Sequence, residues 1–389
     1  MIVVPMSVRG GEAAVRDALL SHGWEGDVAS LTSSGIQSAA FQVRELDAAT
    51  IEAMVPIAAR LGIEVVTGPD WMILVGVRSR LGAFARPWLQ PEPVRELAMA
   101  IGMAMPAEIP FDWLHARGSI ALDGPVIVGI INATPDSFSA SSRATDVDAV
   151  LRRGEVLIAG GAAVLDIGGE STRPGSEPVG PGEEMSRVIP AIEALASRHP
   201  DVPISVDTVN AGTARAAIDA GAAIINDVTA GRHDPALLAV AAESGAGMIL
   251  SHSRGALGSL TDASAAQLGD DPVSEVVRDL DESRRTATAA GVQHRNIVLD
   301  PGFGFGKDAA QNWRILAGLD AVVALGSPVL IGVSRKRFIG DATGRPVEDR
   351  DRGTAAACAL GYACGARLFR VHDAESVRDA LEVAKAVTR

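Results

Sequence analysis

The feature that most constrains the fold is an alternation of short apolar strands and longer helices that recurs eight times after Pro125. The predicted strands are Val126–Ile131, Val164–Ile167, Ile204–Val206, Ala223–Ile225, Met248–Leu250, Ile297–Leu299, Val329–Gly332 and Leu368–Val371. The predicted helices are Val147–Gly160, Gly182–Arg198, Ala211–Ala220, Asp234–Gly245, Pro272–Gly291, Ala309–Leu319, Gly353–Gly365 and Ala374–Val387. Strict alternation favours a parallel sheet. Eight strand–helix units predict a closed (β/α)8 TIM barrel.

A doubly wound sheet is the structural alternative. That fold would need a glycine fingerprint such as GxGxxG at the first turn, whereas the first turn here reads N-A-T-P-D-S-F (132–138). The barrel is therefore the predicted fold, and we assign it residues 118–389.

Residues 1–117 are predicted to form a smaller α/β extension. Thr50–Leu61 reads as an amphipathic helix, and Glu64–Val66 and Met72–Val75 read as strands. The stretch Arg86–Pro110 contains five prolines and is predicted to be turns and a linker. No catalytic motif is recognisable in this region, so its role is left open.

Net charge argues against two classes of partner. The chain carries a formal charge of −13, which disfavours non-specific binding to nucleic acid or to an anionic membrane. The most apolar segment, Ile315–Ser334, is interrupted by Asp320 and by Gly326-Ser327-Pro328, so it is not predicted to span a membrane. Residues 1–11 lack the features of a secretory signal, and the expected location is the cytoplasm.

Polar residues follow every predicted strand of the barrel, where such folds place their active sites. These strand-end segments are Asn132–Phe138, Gly168–Gly175, Asp207-Thr208, Asn226-Asp227, Ser251-His252, Asp300–Lys307, Ser334–Arg337 and Arg370–Asp373. A single aspartate at a strand end is more often a helix cap than a catalytic group. Capping does not explain eight polar strand ends that converge on one mouth, so we predict a ligand site there.

The residue types indicate two kinds of ligand group. Arg370 and His372 lie two apart on one strand and so point the same way; with Arg173 and Asn132 they suit a phosphate or diphosphate. Asp207, Asn226 and Asp300 suit a flat heterocycle rich in N–H groups, such as a pterin or a purine. Lys336 could bind the carbonyl of such a ring. The combination suggests group transfer at a carbon that bears a diphosphate.

These motifs resemble those of the dihydropteroate synthases, a family of pterin-binding barrels. The resemblance covers about Pro125 to Arg389 and rests on long motifs in family order. They are N-A-T-P-D-S-F-S (132–139), G-G-E-S-T-R-P-G (168–175), I-N-D-V (225–228), L-D-P-G-F-G-F-G-K (299–307), S-R-K (334–336), F-I-G (338–340) and R-V-H-D (370–373).

The resemblance implies condensation of 6-hydroxymethyl-7,8-dihydropterin diphosphate with 4-aminobenzoate, giving 7,8-dihydropteroate and pyrophosphate, with Mg2+ as cofactor. By residue-wise carry-over, the pterin ligands would be Asp207, Asn226, Asp300 and Lys336, and the diphosphate ligands Asn132, Arg173, Arg370 and His372. Asn132 would also lie near the metal. The aminobenzoate pocket would include Thr172, Pro174, Phe305 and Arg337, and the catalytic groups would be Asp136, Arg173 and Lys336. The loops Thr134–Arg143 and Ser171–Gly180 would close over the site.

Three positions depart from the family pattern. Ala140-Ser141-Ser142 replaces the usual Asp-Gly-Gly, Ser251-His252-Ser253 replaces Met-His-Met, and Arg337 replaces the serine of Ser-Arg-Lys-Ser. These departures keep two alternatives open: a pterin-binding paralogue without catalysis, and a pterin-dependent methyltransferase. The diphosphate-binding residues count against the methyltransferase. The resemblance further implies a homodimer and a target for sulfonamides.

Overall fold

The computed structural model describes residues 2–6, 38–77, 81, 84–85, 90–104, 112–133, 143–169, 179–255, 257–260 and 268–388. The chain divides into two compact units. The first comprises Met1–Glu108 with Gly318–Gly326, and the second comprises Ile109–Ala317 with Ser327–Arg389.

The first unit contains a four-stranded antiparallel sheet and two longer helices. Its strands are β1 (Ile2–Met6), β2 (Ser38–Arg44), β3 (Glu64–Thr67) and β4 (Trp71–Val77), in the order β1-β2-β4-β3. Helix α1 (Ala48–Leu61) begins at Asp47, whose carboxylate accepts from the backbone N–H of Thr50. Alternate residues of β2 and β4 pack against the apolar faces of the helices, as alternation in a strand requires. The predicted helix and both predicted strands of this region are confirmed.

Helix α2 (Glu92–Ala104) occupies the stretch that the prolines had marked as a linker, so that prediction was wrong. Pro91 precedes the helix and Pro93 lies in its first turn, where a missing N–H costs nothing. From residue 94 to 104 the helix holds no proline. Val94, Leu97, Ala98 and Ile101 are all fully buried, at the spacing of one helical face.

The second unit is the predicted barrel. Its strands are β7 (Val126–Asn132), β8 (Ala162–Gly168), β9 (Ile204–Asp207), β10 (Ile224–Asp227), β11 (Gly247–Ser251), β12 (Ile297–Asp300), β13 (Leu330–Ile331) and β14 (Leu368–Val371). They form one parallel sheet in the order β12-β11-β10-β9-β8-β7-β14-β13. A parallel bridge from Leu299 to Val329 joins its two ends and closes the barrel. Every predicted strand is present, with its ends within two residues of the prediction.

The helices after α2 also follow the prediction. They are α3 (Arg143–Ala159), α4 (Pro181–Arg198), α5 (Ala211–Asp219), α6 (Ala236–Ser244), α7 (Pro272–Ala289), α8 (Ala309–Ala317), α9 (Leu319–Val323), α10 (Arg337–Thr343), α11 (Asp351–Ala363) and α12 (Ala374–Thr388). Two short helices, α9 and α10, were not predicted. In the described part of the chain, no helix is both long and apolar enough to cross a membrane.

A hairpin closes the N-terminal end of the barrel. It consists of β5 (Asp112–His115) and β6 (Gly118–Ala121). Trp113 is fully buried among residues at the starts of the strands, including Val126, Ile224 and Leu368. Its Nε1–H donates to the backbone carbonyl of Asn296 at 2.8 Å.

Inside the barrel, residue type changes with depth. The lower layers are apolar and contain Val164, Ile249 and Val298. Above them, the inner faces of the strands carry the polar residues Asn132, Asp166, Asp207, Asn226, Ser251, Asp300 and Arg370, because side chains alternate along each strand. The polar end is the C-terminal end, where the sequence predicted the site.

Candidate active site

An arginine between two carboxylates lies at the centre of the polar end. Arg370 donates through Nε to Asp166 Oδ2 at 2.6 Å and through Nη2 to Asp207 Oδ2 at 2.6 Å. Asp166 Oδ2 also accepts from Asn226 Nδ2 at 3.1 Å. The structure thus brings together Asp207, Asn226 and Arg370, which the sequence had assigned to two different halves of the ligand.

The charges of this group are strongly coupled. Burial raises the pKa of Asp207 above its usual range; Arg370 opposes this and Asp166 adds to it. Burial acts to lower the pKa of Arg370, but the two aspartates outweigh it and the pKa is raised. Arg370 is therefore a permanent cation, and its charge limits the rise that burial causes in the pKa of Asp207.

Asp300 ends β12 and is held by its own loop. Its Oδ1 accepts from the backbone N–H of Gly302 at 2.8 Å, and its Oδ2 accepts from Ser251 Oγ at 3.3 Å. Burial raises the pKa of Asp300. Ser251 is one of the three departures from the family pattern, and it contacts a predicted pterin ligand directly.

The glycine-rich loop after Asp300 is tied to β11 by a buried lysine. Lys307 Nζ donates to the carbonyls of Gly302 at 2.8 Å, Phe305 at 3.1 Å and His252 at 3.3 Å. Gly302 has a φ of +66°. A Cβ on it would lie 1.9 Å from the His252 carbonyl oxygen, so only glycine fits there.

Lys336 and Phe305 form the edge of the site next to Asp300. Lys336 Nζ lies 4.4 Å from the centroid of the Phe305 ring, a cation–π contact. Burial and the nearby Arg370 lower the pKa of Lys336 to about 8. Phe305 packs with Val209, Val228 and Leu260, which gives this edge an apolar wall.

His372 is an uncharged member of the site. Its Nδ1 lies 3.0 Å from Ser334 Oγ, which also accepts from the His372 backbone N–H. Burial, and then Arg370, Arg335 and Arg153, lower the pKa of His372 to about 3. At neutral pH the ring is therefore neutral and contributes a hydrogen bond rather than a positive charge.

The comparisons with known proteins agree with this geometry. Residues 128–372 match the family model described as "Pterin binding enzyme". The dihydropteroate synthase of Bacillus subtilis is 43% identical over 252 residues, which cover 65% of this chain and 85% of the relative. That of Mycobacterium leprae is 42% identical over 263 residues, covering 66% of this chain and 91% of the relative.

The chain belongs to the pterin-binding enzyme family.

Solved dihydropteroate synthases share the fold of this pterin-binding enzyme. The Xanthomonas albilineans enzyme with 4-aminobenzoic acid is 45% identical, with a TM-score of 0.64, covering 69% of this chain and 95% of that one. The Coxiella burnetii enzyme in complex with pteroic acid is 33% identical, with a TM-score of 0.63, covering 72% and 99%. These relatives confirm the TIM barrel and the assignment to the dihydropteroate synthases, which are transferases of folate biosynthesis, and they disfavour the methyltransferase alternative.

Four predicted site residues belong to the first two loops at the strand ends. Asp136, Thr172, Arg173 and Pro174 lie outside the described residues, as does the departure at 140–142. Arg337 is described: it is the first residue of α10, its side chain is 89% exposed, and its Nε lies 3.9 Å from Asp341 Oδ2. Its role at the pocket stays a prediction.

Two buried charged residues of the site were missed by the sequence analysis, namely Asp166 and Lys307. Asp166 had a signal, because it is a charged residue inside an otherwise apolar strand, two positions before Gly168 and so on the same face. Lys307 was visible in the G-F-G-K motif, but its three carbonyl contacts depend on the loop conformation.

The described residues can also be tested against the expected Mg2+. Among them, no group of three or more His, Cys, Asp or Glu side chains could hold a metal ion. Mg2+ commonly uses few protein oxygens and completes its shell with substrate phosphates and water. Asn132, half-buried at the end of β7, offers one such hard oxygen beside the Arg370 and His372 side of the mouth, so the donor chemistry fits.

Proposed function

We propose that this chain condenses 6-hydroxymethyl-7,8-dihydropterin diphosphate with 4-aminobenzoate, forming 7,8-dihydropteroate and releasing pyrophosphate. The observation that carries the proposal is that ring acceptors and anion-binding groups meet in one mouth: Asp207 accepts directly from Arg370, and Asn226 is linked to Arg370 through Asp166. The Xanthomonas albilineans relative supports it, because that enzyme is solved both with 4-aminobenzoic acid and with 7,8-dihydropteroate.

The first role of the site is to hold the pterin ring. Asp207 and Asp300 are acceptor carboxylates for ring N–H groups, and Asn226 offers both a donor and an acceptor. Lys336 would donate to the ring carbonyl. Asn226 and Asp300 are buried, and Asp207 and Lys336 are partly buried. Hydrogen bonds are stronger in such a setting than in open water.

The second role is to let the diphosphate leave. Arg370 supplies a fixed positive charge, and neutral His372 supplies a hydrogen bond, on the side where the diphosphate would lie. Mg2+, held by Asn132 and the phosphates, would neutralise part of the negative charge. Departure of pyrophosphate leaves a cation at the exocyclic methylene, which electron donation from the dihydropterin stabilises.

The third role is to admit the arylamine. The amine of 4-aminobenzoate is neutral at pH 7, so its nitrogen can form the new C–N bond without a strong base and then lose one proton. Phe305 gives the aromatic ring an apolar wall. The catalytic roles of Asp136 and Arg173, and the pocket roles of Thr172 and Pro174, are part of this proposal through the family resemblance.

The deciding experiment is an assay of the purified chain with pterin diphosphate, 4-aminobenzoate and Mg2+. Formation of dihydropteroate and pyrophosphate in equal amounts is the expected result, and chelation of the metal should remove it. Pterin binding without product would instead favour the non-catalytic paralogue. A cytoplasmic location, a homodimer and inhibition by sulfonamides are further parts of the proposal, and sedimentation and inhibition assays test the last two.

We expect Asp207→Asn and Asp300→Asn each to weaken pterin binding by about 1.5–3 kcal/mol, the usual cost of losing a hydrogen bond to a charged group. Each change keeps one acceptor oxygen but removes the charge and the second acceptor. Calorimetry with 6-hydroxymethylpterin measures the effect. Asp271→Asn, at the cap of α7, is the control, because asparagine caps a helix equally well. Unchanged affinity in both site variants would contradict the placement of the ring.

Arg337→Ser restores the residue usual in the family. Because the Arg337 side chain is 89% exposed, any contact with the aminobenzoate carboxylate is worth under about 1 kcal/mol. We expect at most a fivefold rise in the Michaelis constant for aminobenzoate, together with tighter sulfonamide inhibition. Inhibition and initial-rate measurements on both proteins test this. If both constants stay the same, Arg337 is a surface residue with no part in the choice of substrate.

A further inference from the structure

Asp166 is a buried carboxylate that the proposed reaction does not yet use. It lies on the inner face of β8 and is fully buried, with 0% of its surface exposed. In the sheet, β8 stands two strands from β10, which carries Asn226, and two strands from β14, which carries Arg370. Asp166 is therefore placed midway between a predicted pterin ligand and a predicted diphosphate ligand.

One oxygen of this carboxylate serves both neighbours. Oδ2 accepts from Arg370 Nε at 2.6 Å and from Asn226 Nδ2 at 3.1 Å. A guanidinium held through Nε has its plane and direction set, because its donors form a rigid fork. An amide that donates through Nδ2 has its carbonyl oxygen turned the opposite way. The carboxylate thus sets the orientation of one group in each half of the site.

Asp227 shows what a structural carboxylate looks like in the same barrel. It is also fully buried, but it accepts from Thr229 N, Thr229 Oγ1 and Gly231 N, all within its own turn. Asp166 has no such local partner among the described residues, and its Oδ1 has no hydrogen-bond partner there. A buried carboxylate with an unsatisfied hydrogen-bonding oxygen lowers the stability of the fold. The presence of Asp166 at this position therefore points to a role in the site.

Asp166 also affects Asp207, a predicted ligand of the pterin ring, because both carboxylates accept from Arg370. Arg370 divides its donors between Asp166 and Asp207. Without Asp166, the guanidinium would be free to pair with both oxygens of Asp207, the acceptor that the pterin ring requires. Asp166 therefore keeps Asp207 from being fully engaged by the arginine.

We propose that Asp166 is a positioning residue that holds Arg370 and Asn226 in the orientations that bind the diphosphate and the ring of the pterin substrate. The inference rests on the proposed function, since it assigns the two partners to that substrate. It predicts that Asp166 acts through Arg370 and Asn226 and not through the fold as a whole.

The test is a double-mutant cycle of Asp166→Asn and Arg370→Gln, read as affinity for pterin diphosphate by calorimetry and as kcat/KM. In the wild-type background, Asp166→Asn is expected to lower both at least tenfold. In the Arg370→Gln background, the same change is expected to lower them less than twofold, because the group it orients is gone. Equal losses in the two backgrounds would overturn the proposal.

A second variant separates the two partners. Asp166→Asn keeps an acceptor for Asn226, whereas Asp166→Ala removes it, so Asp166→Ala should bind the bare hydroxymethylpterin several-fold more weakly than Asp166→Asn. Equal affinities would remove Asn226 from the proposal. If Asp166→Asn does not fold, Asp166→Glu keeps a carboxyl group but shifts it by one methylene. The folded variant should lose affinity where Arg370 is present and not in the Arg370→Gln background.

Asp227→Asn is the matched control for burial and charge. It should lower the melting temperature while its effect on affinity stays the same with or without Arg370→Gln. The wild-type assay tests the proposed function separately. If the wild-type chain is inactive but still binds pterin diphosphate, the affinities of the double-mutant cycle still test the role of Asp166. A wild-type chain that binds no pterin overturns both proposals.

Discussion

Gly302→Ala is expected to lower the free energy of unfolding by about 3–5 kcal/mol, the range of the most damaging single substitutions. The new Cβ would lie 1.9 Å from the His252 carbonyl oxygen, and this contact is with backbone that cannot rotate away. The loop must therefore shift, which separates Lys307 from its carbonyls and moves Asp300. Denaturant unfolding and pterin calorimetry should both show the change.

Gly344→Ala provides the matched control for this substitution. Gly344 has the same φ of +66° at the end of α10, but a Cβ there meets nothing within 4 Å. It should cost only the left-handed backbone strain, about 1–2 kcal/mol, and leave pterin affinity unchanged. Equal losses in the two variants would mean that the close approach to His252 contributes nothing.

Arg370→Ala is expected to lower the free energy of unfolding by about 3–5 kcal/mol, because it leaves two buried carboxylates without their cation. Burial already raises the pKa of Asp207, and the loss of Arg370 raises it further. A carboxyl whose folded pKa exceeds its unfolded pKa favours the folded state below the unfolded pKa and loses this contribution as pH rises through the folded pKa. The deficit of the variant should therefore be largest at neutral pH and shrink in mild acid.

Unfolding measured from neutral to mildly acidic pH tests this expectation. Arg215→Ala is the control, because Arg215 pairs with Glu243 at 2.6 Å on the exposed surface, where a salt bridge is worth under about 1 kcal/mol. A deficit for Arg370→Ala that is as small as the control, or that does not depend on pH, would show that Asp166 and Asp207 find other partners.

The barrel was predictable because its signal is repeated and local. Each strand is a short apolar run, and each is bounded by polar residues that mark its end, so eight weak signals reinforce one another. The N-terminal region lacks that repetition, and its proline-rich stretch Arg86–Pro110 gave a misleading signal. Pro91 and Pro93 resemble helix breaks in the sequence, but a proline at the start of a helix favours the helix that follows.

The residues of the site could be predicted from the sequence, but the hydrogen bonds between them could not. Asp207, Asn226, Asp300 and Arg370 were all placed at strand ends, and the structure has them there. That Arg370 contacts Asp207 could not be read from the chain, because it depends on which residues of the four neighbouring strands β9, β8, β7 and β14 lie at the same height in the barrel. The register between strands is set by the closure of the whole barrel, which no local segment encodes.

The hairpin that carries Trp113 has a consequence for the order in which substrates bind. Trp113 and the apolar layers above it fill the described barrel from below, so the site has an entrance only at the strand ends that carry the polar groups. With a single entrance, the ligand that binds deepest must bind first and leave last. For the proposed reaction, the pterin diphosphate must therefore bind before the arylamine, and an excess of arylamine should slow pterin binding.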